Sequence, residues 1–148
     1  MHTLEQLERG ELAGTTRLDL SADLCEVPEA ILGLADSLEV LNLSGNQLRS
    51  LPAWLPRLGK LRILFGSDNA FTEVPDVLGD CPNLEMVGFK ANRISSLPAA
   101  ALPAALRWLI LTDNRLEQLP AELGDCSRLQ KLMPVSYTHL TLPTKRIV

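Results

Sequence analysis

The sequence has few aromatic residues and no excess of basic charge. Aromatic side chains make up 4% of the 148 residues, whereas 46% of the residues are hydrophobic, so aliphatic side chains, chiefly leucine, must build the core. The 14 basic residues are outnumbered by 18 acidic ones, and the net charge is −4. Because a nucleic-acid-binding surface is usually strongly basic, we expect no nucleic acid partner.

Long apolar segments are also absent. No apolar run approaches the roughly 20 residues that a membrane-spanning helix needs. The first residues, MHTLEQLERGELAG, are too polar for a signal peptide. The sequence therefore predicts a soluble, cytoplasmic protein that does not interact with a membrane.

Residues that usually carry out catalysis or bind metals are scarce. The two histidines, His2 and His139, lie near opposite ends of the chain, and the three cysteines include no C-x-x-C pair. No G-x-S-x-G, H-E-x-x-H, Walker A or Gly-rich dinucleotide-binding motif occurs. We expect no enzymatic activity, metal or cofactor in this chain. Cys81 and Cys126, in the matching phrases GDCPNL and GDCSRL, are interpreted as small core residues.

The dominant feature is an internal repeat. Its copies begin at Leu38, Leu61, Leu84, Leu106 and Leu129, with spacings of 23, 23, 22 and 23 residues, and a degenerate copy precedes them. The consensus is L-x-x-L-x-L-x-x-N-x-L-x-x-L-P-x-x-L. This consensus resembles the leucine-rich repeat, and it covers residues 15–133.

The spacing of the leucines predicts the fold. Leucines at the fourth and sixth positions point to one side of a short strand, and the residues between them point to the other side. We expect an α/β repeat solenoid, a leucine-rich repeat horseshoe arc with a parallel β-sheet on the concave face. The Leu-Pro or Val-Pro pair that follows opens a return path of irregular or 3₁₀ turns on the convex face.

Asparagine recurs at the ninth position of the repeat. A side-chain amide can both donate and accept, so each Asn can satisfy backbone groups of its own turn and of the neighbouring coil. We predict a structural Asn ladder rather than a catalytic role, and we expect Asp23 to take the same position in the first copy. The predicted ladder consists of Asn46, Asn69, Asn92 and Asn114.

The outward-facing strand positions form the candidate binding surface. The third position gives an apolar series that ends at Trp108, and Trp is prominent among interface hot spots. The alternative is that these residue types simply favour strands. The predicted partner-binding residues are Val40, Asn42, Ile63, Phe65, Met86, Lys90, Trp108, Ile110 and Thr112.

Two further local predictions concern the core. Residues 1–14 read as an N-terminal cap, because Thr3 and Gln6 have the spacing of a capping box before a short amphipathic helix at roughly 3–9. Gly66 replaces the leucine at the sixth position of its repeat, and we expect Phe71 or Phe89 to fill the gap. Trp54 should pack over its own coil on the convex side.

The pattern stops at Pro134, within a sixth repeat. Residues 135–144, VSYTHLTLPT, match the translation of GTC TCT TAT ACA CAT CTG ACG CTG CCG ACG, which resembles a transposase adapter used in preparing sequencing libraries. We therefore expect residues 134–148 to be a non-native tail and the natural chain to continue beyond Met133. Tyr137 and His139 are accordingly excluded from every candidate site.

A more specific resemblance rests on the phrases LEVLNLSGN, LEMVGFKANRI and LRWLILTDNRLEQLP, and on the polar start MHTLEQLERGELAGTTRLDLS. Together they resemble the N-terminal repeat region of bacterial leucine-rich repeat proteins that carry a protein kinase domain afterwards. The resemblance spans residues 1–133 and implies a cytoplasmic bacterial parent that phosphorylates Ser or Thr. None of the kinase motifs lies in this chain, so no catalytic residue is carried over.

Two functions therefore remain open at the level of sequence. The first is a protein-protein interaction module that binds a protein or peptide on the concave sheet face. The second is a substrate-selecting or regulatory N-terminal region of a bacterial Ser/Thr protein kinase. A secreted effector with a ligase domain is a third option, but such effectors usually have shorter repeats.

Overall fold

The computed structural model describes residues 2–116, 119–125, 129 and 131–133. In this part of the chain, six short strands form one parallel sheet whose spatial order is the order of the sequence. Each strand comes from the same three positions of successive repeats. The strands are β1 (Arg17–Asp19), β2 (Val40–Asn42), β3 (Ile63–Phe65), β4 (Met86–Gly88), β5 (Trp108–Ile110) and β6 (Lys131–Met133). The predicted leucine-rich repeat solenoid is confirmed.

The return path on the convex side is built from 3₁₀ turns, as the Pro- and Gly-rich segments predict. Prolines precede these turns in extended conformation, for example Pro28, Pro75 and Pro98. A proline fits there because it has no N–H to place in a hydrogen-bonded ladder. Within the described residues the 3₁₀ turns are Glu29–Leu34, Leu55–Arg57, Asp76–Asp80, Ala99–Ala101 and Ala121–Asp125.

The core lies between the sheet and these turns. The central residue of each strand from β1 to β5 is at most 2% exposed, as at Leu18, Leu64 and Leu109. Cys81 is also buried, and desolvation raises the pKa of its thiol to about 11. The first part of the cysteine interpretation is thus confirmed, whereas Cys126 lies outside the described residues.

Phe89 occupies the space that Gly66 leaves in the core. A Cβ atom added at Gly66 would stand 2.3 Å from Cε1 of Phe89, so this ring lies directly against the glycine. Phe89 packs edge-on against Phe71, with ring centroids 5.0 Å apart, and both residues are 0% exposed. The Phe89 ring therefore fills the volume that a leucine side chain at Gly66 would occupy, although the two residues belong to adjacent coils.

A short helix, α1 (Leu4–Glu8), covers the first coil. The capping box predicted from the sequence is present, because the Gln6 N–H donates to the Thr3 hydroxyl and the Thr3 N–H donates to the Gln6 amide oxygen. His2 continues the sheet beyond β1. Its N–H donates to the Asp19 carbonyl oxygen over 2.9 Å, and its Nδ1 accepts from the Asp19 N–H over 3.1 Å.

Asparagine amides connect successive coils at the turn after each strand. The Asn69 Nδ2 donates to the carbonyl oxygens of Leu43 and Gly66, and its Oδ1 accepts from the Leu48 N–H. Asn92 makes the equivalent bonds one coil further on and therefore also donates to Gly66. As a result, the Gly66 carbonyl oxygen accepts one hydrogen bond from Asn69 in its own coil and one from Asn92 in the next coil.

The expectation for Asp23 is wrong. Asn46 accepts from the N–H groups of Ala22 and Leu24, so the first turn is one residue shorter than the others and Ala22 stands at the Asn position. Asp23 is exposed with a φ of 55°, and its carboxylate accepts from the Gln47 amide. The shortened turn moves Asp23 out of the coil.

The tail prediction cannot be compared with the fold, because residues 134–148 lie outside the described part of the chain. Trp54 is half-buried and packs against the core on the return side, as predicted. Among the described residues, no helix has the length and apolar composition that a bilayer-spanning segment requires.

Candidate binding surface

The strand register aligns four apolar side chains on the outer side of the sheet. Val40 pairs with Ile63, Ile63 with Met86, and Met86 with Trp108. All four are half-buried, so each keeps part of its side chain in solvent. We call these four residues the apolar column. With neighbouring strands about 4.8 Å apart, the column extends over about 14 Å.

A second file of side chains lies beside the apolar column, two residues further along each strand. Phe65 and Ile110 are half-buried. Between them, Gly88 has no side chain, and the Phe65 ring lies over it, since a Cβ added at Gly88 would stand 2.9 Å from Phe65 Cδ1. The Phe65 ring thereby widens the apolar surface towards the adjacent strand.

Polar side chains border this surface on the side of the Asn turns. Lys90 is exposed, and its neighbours in the same file, Ser67 and Thr112, are partly exposed. Backbone bonds continue the sheet through this file, because Asp68 donates to the Lys90 carbonyl and Ala91 to the Thr112 carbonyl. The structure thus places an ammonium group and two hydroxyl-bearing residues beside the file that contains Phe65 and Ile110.

Asn42, the remaining predicted binding residue, uses its side-chain amide in hydrogen bonds within the chain. Its Nδ2 donates to Asp19 Oδ1 over 2.9 Å, and its Oδ1 accepts from the Ser44 N–H over 3.1 Å. Asp19 also accepts two bonds from the Arg17 guanidinium, at 2.9 and 3.0 Å. The hydrogen bond from Arg17 is the main reason that the pKa of Asp19 is lowered.

One feature of the surface was missed in the reading of the sequence. The second position of successive repeats carries Glu39, Arg62, Glu85 and Arg107, whose charges alternate in sign. Arg62 bridges Glu39 at 3.1 Å and Glu85 at 3.5 Å, and Arg107 bridges Glu85 at 3.4 Å. We call these four residues the charge ladder. The signal was present in the alternating Leu-Glu and Leu-Arg pairs that begin the repeats.

The charge ladder and the apolar column meet at Trp108. The Arg107 guanidinium carbon lies 4.7 Å from the centroid of the Trp108 ring, within the range of a cation–π interaction. The guanidinium thus lies over one face of the indole, and Trp108 remains half-buried. The described side chains form no group of three or more His, Cys, Asp or Glu residues that could hold a metal ion.

Comparisons with known proteins agree with this geometry. The solved structure of a leucine-rich repeat protein from Leptospira interrogans superposes with a TM-score of 0.80 and 29% identity, over 98% of this chain. A family model described as Leucine Rich Repeat matches residues 37–58. The chain is a leucine-rich repeat protein.

Two curated relatives match part of the chain. The probable inactive serine/threonine-protein kinase roco10 of Dictyostelium discoideum is 36% identical over 88 residues, which is 55% of this chain. The oligodendrocyte-myelin glycoprotein of Homo sapiens is 35% identical over 82 residues, also 55% of this chain. The matches span only 3% and 18% of these relatives and 38% of the Leptospira protein.

Proposed function

We propose that this leucine-rich repeat protein binds a protein or peptide on the concave face of its sheet. The observation that carries the proposal is the apolar column, which keeps four aligned hydrophobic side chains partly exposed. Apolar side chains grouped on the surface of a protein frequently mark an interaction site. Leucine-rich repeat domains generally mediate protein-protein interactions, and this supports the same conclusion.

The chemistry around the column favours a polypeptide over a small molecule. The surface is long and open, so it suits an extended ligand that contacts several strands in turn. Apolar side chains of the ligand would lie on Ile63, Met86 and Trp108. Lys90 and the neighbouring Thr112 hydroxyl would bind a carboxylate or carbonyl oxygen of the same ligand.

A peptide selection tests the proposal, because it does not require the natural partner to be identified first. Peptides enriched from a displayed random library on the intact chain should lose affinity about tenfold or more for Trp108→Ala, because Trp truncation at an interface centre is costly. Ile63→Asp should have a similar effect, because it places a charge in the column. Val77→Ala is the matched control, since Val77 is a half-buried apolar residue on the return side.

The folding state of each variant decides how the result is interpreted. Far-UV circular dichroism should be unchanged for Trp108→Ala, and Ile63→Ala serves as a milder variant if Ile63→Asp unfolds. Peptides that bind the variants and the parent equally would refute the proposal. Unfolding of both Trp108→Ala and Ile63→Ala would mean that the column belongs to the core.

A second candidate function concerns a longer parent protein. We propose that these repeats select substrates for, or restrain, a Ser/Thr protein kinase domain in a cytoplasmic bacterial protein. One relative's name, a probable inactive serine/threonine-protein kinase, supports a link between such repeats and kinase domains. Sequencing the gene past the Met133 codon tests this proposal, because a Gly-rich loop and a His-Arg-Asp-like catalytic segment should follow. Further repeats and a stop codon would contradict it.

A further inference from the structure

A surface groove with an apolar floor lies beside the N-terminal cap, away from the concave face. It is formed by helix α1, by the segment that follows β1, and by the return path of the next coil, and its volume is about 510 Å³. Volumes of about 300–1,000 Å³ are typical of sites that hold a compact ligand group. Three separate segments of the chain therefore shape a groove that no single repeat contains.

The floor of this N-terminal groove is apolar. Leu24 is buried beneath it, and Leu4, Val27, Leu51 and Trp54 line it while remaining half-buried. All four half-buried residues pack against the main core with one side. Their other sides leave a set of hydrophobic surfaces, including part of an indole ring, open to solvent.

The rim of the groove is acidic. Glu8, Glu26 and Glu29 line it, all three are exposed, and no Lys or Arg is among the lining residues. Within the described part of the chain, none of these three carboxylates forms an ion pair, whereas the neighbouring Glu5 is paired with Arg9. The groove thus combines an apolar floor with three negative charges that the fold leaves uncompensated.

We propose that the N-terminal groove docks a basic amphipathic segment of a partner protein. A leucine-like side chain of the segment would lie against Leu51 and Trp54. Flanking Lys or Arg side chains would pair with the three glutamates and stack on the indole face, where cations are favoured. The same carboxylates repel acidic segments and phosphate-rich surfaces, so the charge selects one class of partner. This site uses none of the residues of the apolar column and does not depend on the concave-face proposal.

The probe for this site is a fluorescein-labelled peptide, Lys-Arg-Leu-Leu-Arg-Lys, titrated with the intact chain and followed by fluorescence anisotropy. Binding should weaken as salt is added, because exposed charge pairs are screened. The acidic counterpart Glu-Glu-Leu-Leu-Glu-Glu should bind at least about tenfold more weakly. The Glu26→Gln/Glu29→Gln double variant should lose about threefold to tenfold in affinity for the basic peptide, given the usual strength of exposed ion pairs.

Matched variants separate the groove from general surface charge. Glu73→Gln/Asp76→Asn removes the same two charges from exposed positions outside the groove and should leave the affinity within about twofold. Trp54→Ala should weaken binding about tenfold, because it removes the largest apolar contact. If Trp54→Ala does not fold, the Glu26→Gln/Glu29→Gln comparison still decides the question, since both side chains are exposed.

Three results would overturn the proposal. The first is equal binding of the basic and acidic peptides. The second is loss of binding in Trp108→Ala with full binding in Trp54→Ala, which would move the site to the concave face. The third is self-association of the chain that Trp54→Ala abolishes while the basic peptide does not bind, which would make a second copy the occupant.

Discussion

Replacing Gly66 by alanine tests how the core is packed around the missing leucine. The repeat consensus has leucine at this position, so a sequence comparison suggests that any apolar side chain would be tolerated or even favourable. The structure predicts the opposite. The Cβ atom of the new side chain would stand 2.3 Å from Cε1 and 2.7 Å from Cδ1 of Phe89, well inside van der Waals contact.

The size of the effect follows from what must move. Phe89 is 0% exposed and is held by the Phe71 ring, so it cannot turn into solvent. Overpacking of a well-packed core typically costs about 1–3 kcal/mol. We therefore expect Gly66→Ala to lower the free energy of unfolding by that amount. Gly33→Ala is the matched control and should change it by less than about 0.5 kcal/mol, because no heavy atom lies within 4 Å of the added Cβ.

A double-mutant cycle sharpens this test. Phe89→Leu alone removes part of a buried ring and should cost about 1–2 kcal/mol through the cavity it leaves. Gly66→Leu alone should also destabilise the chain, because it overpacks the core beside Phe89. Gly66→Leu combined with Phe89→Leu restores the consensus in both coils, so most of the losses of these two single variants should disappear. Urea unfolding monitored by far-UV circular dichroism measures all four free energies. Additive losses, or a stabilising Gly66→Ala, would refute the proposed exchange of volume between the coils.

Two other predictions concern hydrogen bonds. Asn69→Ala should lower the free energy of unfolding by about 1–3 kcal/mol, because the Leu48 N–H loses its acceptor. The control is Asn83→Ala at an exposed position, which should cost under about 1 kcal/mol. Equal losses for the two variants in thermal unfolding would contradict this. Asp19→Asn should destabilise the chain at neutral pH, and the difference should begin to shrink as the pH falls below about 4 and disappear once Asp19 is protonated in the folded chain as well. Because the pKa of Asp19 is lowered in the folded chain, the carboxylate stabilises the fold above the unfolded pKa, and this stabilisation is lost on protonation. If urea titrations gave the same difference in unfolding free energy between the parent and Asp19→Asn at every pH, the reasoning would be wrong.

The sheet could be predicted because its signal is periodic. Each repeat places leucine at the same positions, and the register pairs equivalent residues such as Val40 with Ile63. The 3₁₀ turns followed from the prolines and glycines for the same reason. Where one coil departs from the pattern, the prediction failed: at Asp23 the turn is one residue shorter, and a shift of one residue exchanges a buried position for an exposed one.

The surface was less predictable than the fold. The outward positions of the strands follow from alternation, but the use of the Asn42 amide within the chain depends on Asp19, which lies 23 residues away. The N-terminal groove depends on how helix α1 sits against the first two coils, and no periodic signal encodes that arrangement. Contacts between equivalent positions of successive repeats can therefore be predicted from the sequence period. Contacts between segments that are not equivalent, such as helix α1 and the first two coils, become visible only in the structure.

The alternating signs of the charge ladder mean that the coils are not interchangeable. Removing the single coil that begins at Leu61 would bring Glu39 opposite Glu85, two like charges on neighbouring strands, whereas removing two adjacent coils would keep opposite charges in contact. The phrases GDCPNL and GDCSRL recur with the same two-coil period. An engineer who lengthens or shortens this array should work in pairs of coils, because the smallest unit that can be exchanged without electrostatic conflict is about 45 residues long rather than one repeat.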